Sequence, residues 1–204
     1  MKTTLNIDVN EVKRYAGLKG ASDDKLDSLV LRAINEVLDT VEPRYVYKVL
    51  SVKTNGDTVD AGGLIMKSKD LSKLLKDKES TVLICTTLGY EIDRKISAYS
   101  LTEPAYAICL DAAATAAIEQ VTDNAQKEIF GDGGEKLGRF SAGYGDLDIS
   151  YQADIVRVLN ASKLIGVSVM RSYLLTPMKS VTAFVDVKCH SCEDCKLKDC
   201  IARK

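Results

Sequence analysis

The sequence predicts an α+β fold in a single main domain. Three observations lead to this prediction. The chain has 204 residues, about the length of one domain. Amphipathic helical patterns and compact β-branched runs both occur along it. These segments are mixed without the strict βαβ alternation of a doubly wound parallel sheet, which favours α+β.

The N-terminal region is predicted to be helical. A short helix extends from Val9 to Leu18 and ends at Gly20, and Ser22 can cap a longer helix from Asp23 to about Val41. The apolar residues of the longer segment recur at three- and four-residue spacings: Leu26, Leu29, Val30, Ala33, Ile34, Val37 and Leu38. This spacing is typical of an amphipathic helix.

Extended structure is predicted next. A strand is favoured by Tyr45, Tyr47, Leu50 and Val52, with Val46 and Val49 between them. Asn55-Gly56-Asp57 is a turn signal after it. A further strand around Leu64 to Met66 completes a predicted hairpin.

A buried strand followed by long helices is predicted for the middle of the chain. Asp70 can cap a short helix through Leu75, and Thr81 to Thr87 is a compact β-branched run. Helix then dominates as far as Phe130, with Thr102 as candidate cap ahead of Pro104.

The helix after Pro104 is rich in alanine and carries a polar line. Eight alanines lie between residues 105 and 125, which gives strong helix propensity and lets neighbours approach closely. Asp111, Thr115 and Glu119 follow one another at four-residue spacing. The simplest interpretation is a solvated face, and a ligand-binding wall is the alternative.

A glycine-rich segment separates this helix from the last elements. Six glycines occur between Gly131 and Gly145, a stretch predicted to be an irregular loop rather than a hairpin. Ser150 can then cap a helix that Gly166 ends. Two strands, Val167 to Leu175 and Val181 to Val187, are predicted to flank a turn at Pro177.

Composition excludes several classes of function. Lys and Arg number 28 against 29 Asp and Glu, so the formal charge of -1 offers no basic surplus for nucleic acid. No apolar run reaches the roughly 20 residues of a spanning helix, and a cytoplasmic protein with no membrane partner is expected. The single histidine, His190, leaves little scope for catalytic triads or imidazole relays.

The end of the glycine-rich segment is a candidate binding stretch. It reads Arg139-Phe140-Ser141-Ala142-Gly143-Tyr144-Gly145-Asp146, and its spacing matches neither a P-loop nor a dinucleotide-binding fingerprint. A guanidinium, an aromatic ring and exposed glycine backbone suit a small zwitterion or nucleoside, with the arginine binding a carboxylate. A flexible surface loop is the alternative interpretation.

This stretch and the segments after it resemble the activation domain of cobalamin-dependent methionine synthase. In that family an Arg-x-x-x-Gly-Tyr stretch precedes a helix, an Ile-Gly-Val turn and a Pro-x-x-Ser-Val strand entry. The corresponding segments here are 139–144, 165–167 and 177–181, and the similarity runs from about Thr87 to Val185. The family often has Met-x-Pro where this chain has Leu175-Thr176-Pro177. The resemblance implies a single domain with a twisted, mostly antiparallel sheet and long flanking helices.

The resemblance also implies a function and a ligand. The family domain presents S-adenosylmethionine to a cobalamin that has become inactive and is reduced and remethylated. By this similarity Arg139 holds the donor's carboxylate, Ser141 and Gly143 contact it through backbone, and Tyr144 lies between donor and corrin. The implied role is the activation component of a methyltransferase, not complete by itself. Asp111, Glu119 and Glu135 are candidates for the family's additional acidic residues.

The partners follow from the same resemblance. The chain is too short to include the family's methyl-transfer and cobalamin-binding modules, so it is expected to act in trans on a separate corrinoid methyltransferase, methionine synthase being the first choice. An electron donor such as flavodoxin or ferredoxin is also implied. No catalytic side chain is required, because the sulfonium supplies the leaving group and the reduced cobalt acts as nucleophile.

A cysteine cluster near the C-terminus predicts a metal site. Cys189, Cys192, Cys195 and Cys200 have the spacing C-x2-C-x2-C-x4-C, and four thiolates suit either an iron-sulfur cluster or Zn²⁺. A reduced, redox-sensitive tail is the alternative. We therefore divide the chain into a donor-binding domain, residues 1–188, and a cysteine-rich tail, residues 189–204. Two other thiols, Cys85 and Cys109, lie in apolar surroundings and are predicted core residues.

Two other functions remain open from the sequence. The chain could dock on a corrinoid protein and shield it without using the donor. It could also transfer electrons through the cysteine tail, with the glycine loop serving only to dock a partner.

Overall fold

A computed structural model describes residues 5–18, 20 and 23–187 of the chain. Within these residues there are seven α-helices and eight strands: α1 Val9–Tyr15, α2 Asp24–Thr40, β1 Arg44–Asn55, β2 Thr58–Ala61, β3 Leu64–Lys67, α3 Lys69–Leu74, β4 Ser80–Thr87, α4 Tyr90–Thr102, α5 Pro104–Phe130, β5 Gly138–Phe140, α6 Gln152–Leu159, α7 Ala161–Leu164, β6 Ser168–Val169, β7 Leu175–Thr176 and β8 Ser180–Val187.

Six of the strands form one antiparallel sheet in the order β3-β2-β1-β4-β8-β5. The central strand β4 is buried along almost its whole length because both of its faces are covered. Strands β6 and β7 form a separate two-stranded ribbon. The predicted α+β class, with a curled antiparallel sheet and long helices, is confirmed.

Helices cover the two faces of this sheet differently. On one face the 27-residue α5 packs through Ala125 against alternate residues of β4 and β8, among them Ile84 and Ala183. On the other face Ile155 of α6 packs against Leu83 and Phe184. Helices α1, α2 and α4 surround the N-terminal half of α5 and form an alanine-rich core. The alanines let these helices approach closely, as their small side chains predict.

The structure corrects several predicted boundaries. Helix α2 is capped by Asp23, whose carboxylate accepts the Lys25 N–H at 3.0 Å, and Ser22 lies outside the described residues. Ser68 rather than Asp70 caps α3, and Thr102 ends α4 instead of capping α5. A side-chain carboxylate or hydroxyl caps a helix when it accepts a hydrogen bond from the second or third helical N–H. A residue one position away from the cap cannot reach these N–H groups.

The glycine-rich segment and the strands near it also differ from prediction. Residues 131–145 contain a 3-10 turn and strand β5, so this stretch is not wholly irregular. Strand β2 was not predicted, and β1 to β3 form a meander rather than one hairpin. The predicted strand from Val167 to Leu175 is reduced to the two-residue β6 and the start of β7. Asp148, not Ser150, caps the turn that leads into α6.

Two further sequence predictions concern the C-terminal cysteines and the membrane. The cysteine tail and His190 lie outside the described residues. Over the part of the chain that is described, none of the helices is long and apolar enough to span a membrane.

Candidate functional site

Strand β5 fixes the direction of the Arg139 side chain. It adds to the edge of the sheet by pairing with β8, and Arg139 lies opposite Val185. Neighbouring residues of a strand point to opposite faces. Phe140 accordingly packs into the α6 side of the sheet, whereas Arg139 reaches the helix α5 on the other side.

Two acidic residues of α5 hold one end of the Arg139 guanidinium. Its Nη2 atom lies 2.8 Å from Glu119 Oε2 and 3.0 Å from Asp123 Oδ1. The two acids are four residues apart and therefore share a helix face. The other terminal nitrogen, Nη1, is buried and has no hydrogen-bond partner among the described residues. A buried polar group without a partner is costly, so this atom marks a place where a ligand oxygen would be favoured.

Arg139 forms part of a cleft of about 260 Å³ between α1, α5 and β5. The segment that leads into α1 contributes Asp8, and α1 itself contributes Glu11, Arg14 and Tyr15. Together with Glu119 and Asp123, four carboxylates face two guanidiniums, a formal balance of -2. The cleft therefore suits a ligand that carries a net positive charge and one anionic group.

The loop after β5 is folded tightly on itself. The Gly143 N–H donates to the Leu147 carbonyl at 2.8 Å, and the Tyr144 N–H donates to the Ser141 carbonyl at 3.1 Å. Gly143 has φ of +90°, in the region that favours glycine. Because the Gly143 N–H is already engaged, a ligand would meet this residue through its carbonyl. The Tyr144 side chain is 53% exposed.

Asp146 anchors this loop to helix α3. Its carboxylate accepts hydrogen bonds from the Ser68 hydroxyl, from the Lys69 N–H at 2.8 Å and from the Asp70 N–H at 3.2 Å. The Ser68 hydroxyl and these N–H groups lower the pKa of Asp146. The loop is thus held by a carboxylate placed at a helix start, where negative charge is favoured.

We expect Asp146→Ala to destabilise the protein by about 1 kcal/mol near neutral pH, the usual effect of removing a helix-capping group. Because folding lowers the pKa of Asp146, its contribution is present above the unfolded pKa of about 3.9 and is lost as pH falls through the folded value. Urea unfolding of both proteins between pH 2 and 7 measures this difference. A difference in unfolding free energy that grows on acidification would contradict the assignment.

A second groove, of about 220 Å³, lies on the opposite face of the sheet beside the same loop. Its walls include Ala142, Ile149, Tyr173 and Met178. Tyr173 has φ of +63°, unusual for an aromatic residue, and Met178 is 68% exposed. The sequence pattern does not predict this groove, because it favours a single strand over residues 167–175. No local signal within residues 167–175 reveals it, because the walls of the groove come from segments that are distant in the sequence.

The segment that carries Tyr173 and Met178 is tied to α4 and α5. The Met178 N–H donates to the Asp93 carboxylate, and burial raises the pKa of Asp93. The Lys179 ammonium lies 2.8 Å from Asp111 Oδ1 and 2.9 Å from the Thr115 hydroxyl. The peptide bond between Thr176 and Pro177 is cis.

The polar line of α5 is therefore not merely a solvated face. Asp111 and Thr115 bind Lys179, and Glu119 binds Arg139. Of the three acidic candidates, only Glu119 lines the Arg139 cleft. Asp111 lines a neighbouring cavity, and Glu135 lines neither this cavity nor the Arg139 cleft.

The described residues contain no cluster of three or more His, Cys, Asp or Glu residues arranged to bind a metal ion. Cys85 and Cys109 are buried free thiols, as predicted. Burial raises the pKa of Cys85 to about 12, so this thiol is unreactive at neutral pH.

Comparison with known proteins identifies the fold. Neither protein-family models nor curated protein sequences match this chain. A solved structure of the MetH reactivation domain bound to AdoHcy is similar over 88% of this chain and 73% of the other chain, with a TM-score of 0.65 and 16% sequence identity. This chain has the fold of the MetH reactivation domain. The resemblance to the activation domain that the motifs predicted is thus confirmed in the fold.

Proposed function

We propose that this chain binds S-adenosylmethionine in the Arg139 cleft and serves in the reactivation of a separate corrinoid methyltransferase, with methionine synthase as the expected partner. The buried, unpartnered Nη1 of Arg139 in an acidic cleft carries the proposal. It occurs in a fold shared with a reactivation domain that was solved with AdoHcy bound.

The charges of the donor match the charges of the cleft. S-adenosylmethionine has one carboxylate, one ammonium and one sulfonium, a net charge of +1. Arg139 Nη1 supplies a donor for the carboxylate, and an arginine-carboxylate bond is among the stronger hydrogen bonds in proteins. Glu119 lies beside Arg139, and its negative charge attracts the ammonium and sulfonium groups of the donor. The cleft's excess of acid over base thus selects the charged donor.

The loop after β5 holds the rest of the donor in this proposal. Ser141 and Gly143 contact it through backbone groups, and Tyr144 covers it on the side of the corrin. Asp146 keeps this loop in place by binding the start of α3. The side chains position the donor and need not move a proton, because the donor's sulfonium leaves as a neutral thioether when its methyl group is transferred.

Exposed apolar side chains near the loop support docking of a corrinoid protein. Tyr144, Tyr173 and Met178 are all more than 40% exposed, and exposed clusters of this kind mark interaction surfaces. Reduction of the partner's cobalamin requires one electron, which we assign to a donor such as flavodoxin or ferredoxin. The cytoplasm is the compartment expected from the sequence.

The cysteine tail is proposed to bind an iron-sulfur cluster or zinc. Cys189, Cys192, Cys195 and Cys200 supply four thiolates, the ligand set of both groups. We expect anaerobic reconstitution to give about one metal centre per chain, and its loss when the four cysteines are changed to serine. EPR of the reduced protein and metal analysis distinguish the two metals. Stoichiometric zinc without reducible iron would exclude an electron-relay role for the tail.

Calorimetry with S-adenosylmethionine and AdoHcy, with and without a corrinoid protein, tests the proposed function. Saturable binding at or below millimolar ligand is expected. If only the corrinoid protein binds, the chain is a docking protein that does not use the donor. A third outcome is that the unmodified chain does not bind the donor, yet supports reactivation and loses this activity when residues 189–204 are deleted. That outcome favours electron transfer through the tail.

A further inference from the structure

The Nη1 atom of Arg139, which we assign to the carboxylate of the donor, is buried in the structure. A ligand oxygen reaches a buried donor only after a group that covers it has moved. Three parts of the chain enclose the Arg139 cleft: α1 with the segment before it, α5, and β5. One of these walls, or the loop that continues β5, must therefore be displaced before the carboxylate binds.

Two of the walls are built into the centre of the domain. Helix α5 has 27 residues and packs on the sheet and on the other long helices. Strand β5 pairs with β8, and the Gln126 side chain ties the turn before β5 to α5 by donating to the carbonyls of Gly134 and Leu137. Displacing either wall would disrupt the sheet or the helical core.

The third wall, residues 5–16, comprises α1 and the segment before it, and we call it the N-terminal wall. Helix α1 has seven residues, of which Val12 is buried. An isolated helix shorter than about 12 residues is marginal in water. The N-terminal wall therefore depends on its attachments to the rest of the domain.

Polar contacts attach the N-terminal wall at both ends. The Asn6 N–H donates to Gln120 Oε1 at 2.7 Å, and Gln120 Nε2 donates to the Asn6 carbonyl at 2.9 Å, so one side-chain amide of α5 binds the backbone at two points. Further along, the Lys13 ammonium lies 2.6 Å from Asp27 Oδ1 of α2. The Gln120 bonds are exposed to solvent, and such bonds open at low cost because water replaces them.

The cleft-facing side chains of α1 contact one another. Arg14 Nη2 lies 2.6 Å from Glu11 Oε2, and the Arg14 guanidinium lies 4.2 Å from the centre of the Tyr15 ring. Because all three residues belong to α1, these contacts do not oppose a displacement of the helix. Burial and the negative charge of Glu119 raise the pKa of Tyr15, which places this ring near the acid that binds Arg139.

We infer that the N-terminal wall opens to admit the donor and closes over it, and that Gln120 is the positioning residue that sets how often it opens. The inference rests on the proposed function. When the binding-competent state is a minor one, the observed association rate constant kon is proportional to its population. Weakening the two Gln120 bonds raises that population, so the donor enters faster.

The first test is Gln120→Met, which removes both hydrogen bonds to Asn6 at nearly unchanged side-chain size. We expect it to raise kon for AdoHcy about three- to tenfold, with a dissociation rate constant that rises at least as much. NMR line shapes of the 15N-labelled protein over an AdoHcy titration give Kd and both rate constants. Lys127→Met is the matched control, with kon unchanged, because Lys127 is exposed on the same helix and does not line the cleft.

Lys13→Met separates opening of the wall from direct contact with the ligand, since Gln120 lines the cleft and Lys13 does not. This variant removes the ion pair with Asp27 and should also raise kon, and it keeps the inference testable if Gln120→Met does not fold. An unchanged or lower kon in either folded variant overturns the inference. A purely structural role of these residues would weaken binding through faster dissociation alone.

Amide hydrogen exchange without ligand separates this inference from the proposed function. We expect residues 5–16 to exchange about three- to tenfold faster in Gln120→Met than in the unmodified protein, and AdoHcy to slow their exchange in the unmodified protein. Equal exchange in the two unliganded proteins overturns the inference, as does slowing by AdoHcy of residues 141–147 alone. Absence of AdoHcy binding contradicts the proposed function instead, and exchange in the unliganded proteins still tests the wall.

Discussion

Arg139→Ala is expected to weaken S-adenosylmethionine binding by about 1.5 to 3 kcal/mol, roughly 10- to 150-fold in Kd. The substitution removes the buried Nη1 donor, which we assign to the ligand carboxylate. It also removes the cation that contacts both Glu119 and Asp123 and reduces the repulsion between their carboxylates. Isothermal calorimetry at constant ionic strength measures the effect.

Two variants separate the role of Arg139 from a general loss of charge. Arg139→Lys keeps the positive charge but cannot bind a carboxylate in bidentate fashion, so an intermediate affinity for the donor is expected. Arg157→Ala is the matched control, because Arg157 is an exposed arginine of α6 that pairs with Asp154. Arg157→Ala should bind the donor normally. An Arg139→Ala protein that is folded and binds within twofold of the unmodified protein would refute the assignment.

Gly134→Ala is expected to cost about 3 kcal/mol of unfolding free energy. A Cβ at this position would lie 2.5 Å from the Gln126 carbonyl oxygen and 3.0 Å from Phe130 Cβ. The first of these atoms belongs to the backbone of α5, so the turn before β5 must move. The Gln126 side chain also donates to the Gly134 carbonyl at 2.9 Å and to the Leu137 carbonyl at 3.1 Å, and this movement would stretch both bonds.

Gly133→Ala provides the comparison for Gly134→Ala. Gly133 has φ of +93° but no atom within 4 Å of a new Cβ, so its cost is conformational alone, about 1 kcal/mol. Chemical denaturation of the three proteins gives the two differences. Because β5 carries Arg139, Gly134→Ala should also weaken donor binding. If the two alanine variants are equally stable, close packing against α5 does not fix this turn.

Local pattern predicted the elements that have a strong signal of their own. Helix α2 has a clear three- and four-residue apolar spacing, β4 is a compact run rich in β-branched residues, and α5 is rich in alanine. Strand β5 was missed because its three residues follow a glycine-rich turn and are extended only by pairing with β8. Strand β2 is four residues long and is defined by its partners in the same way.

The candidate site also has one part that the local sequence predicts and another that depends on tertiary packing. The order of chemical groups from Arg139 to Tyr144 is a property of the sequence, and its similarity to a known family predicted the fold. The acids that bind Arg139 lie 16 and 20 residues away, and α1 supplies a wall from more than 100 residues away. No local periodicity encodes such contacts, because they depend on how the helices pack.

Short-range spacing and residue type were enough to predict the fold class, the main helices, the buried strand β4 and the stretch that carries Arg139. The direction of Arg139 towards α5, the burial of its Nη1 without a partner among the described residues, and the position of Tyr15 between two cavities that it lines are properties of the folded chain. They follow from long-range contacts, because pairing sets the direction of side chains on an edge strand and the packing of distant elements sets the cavities.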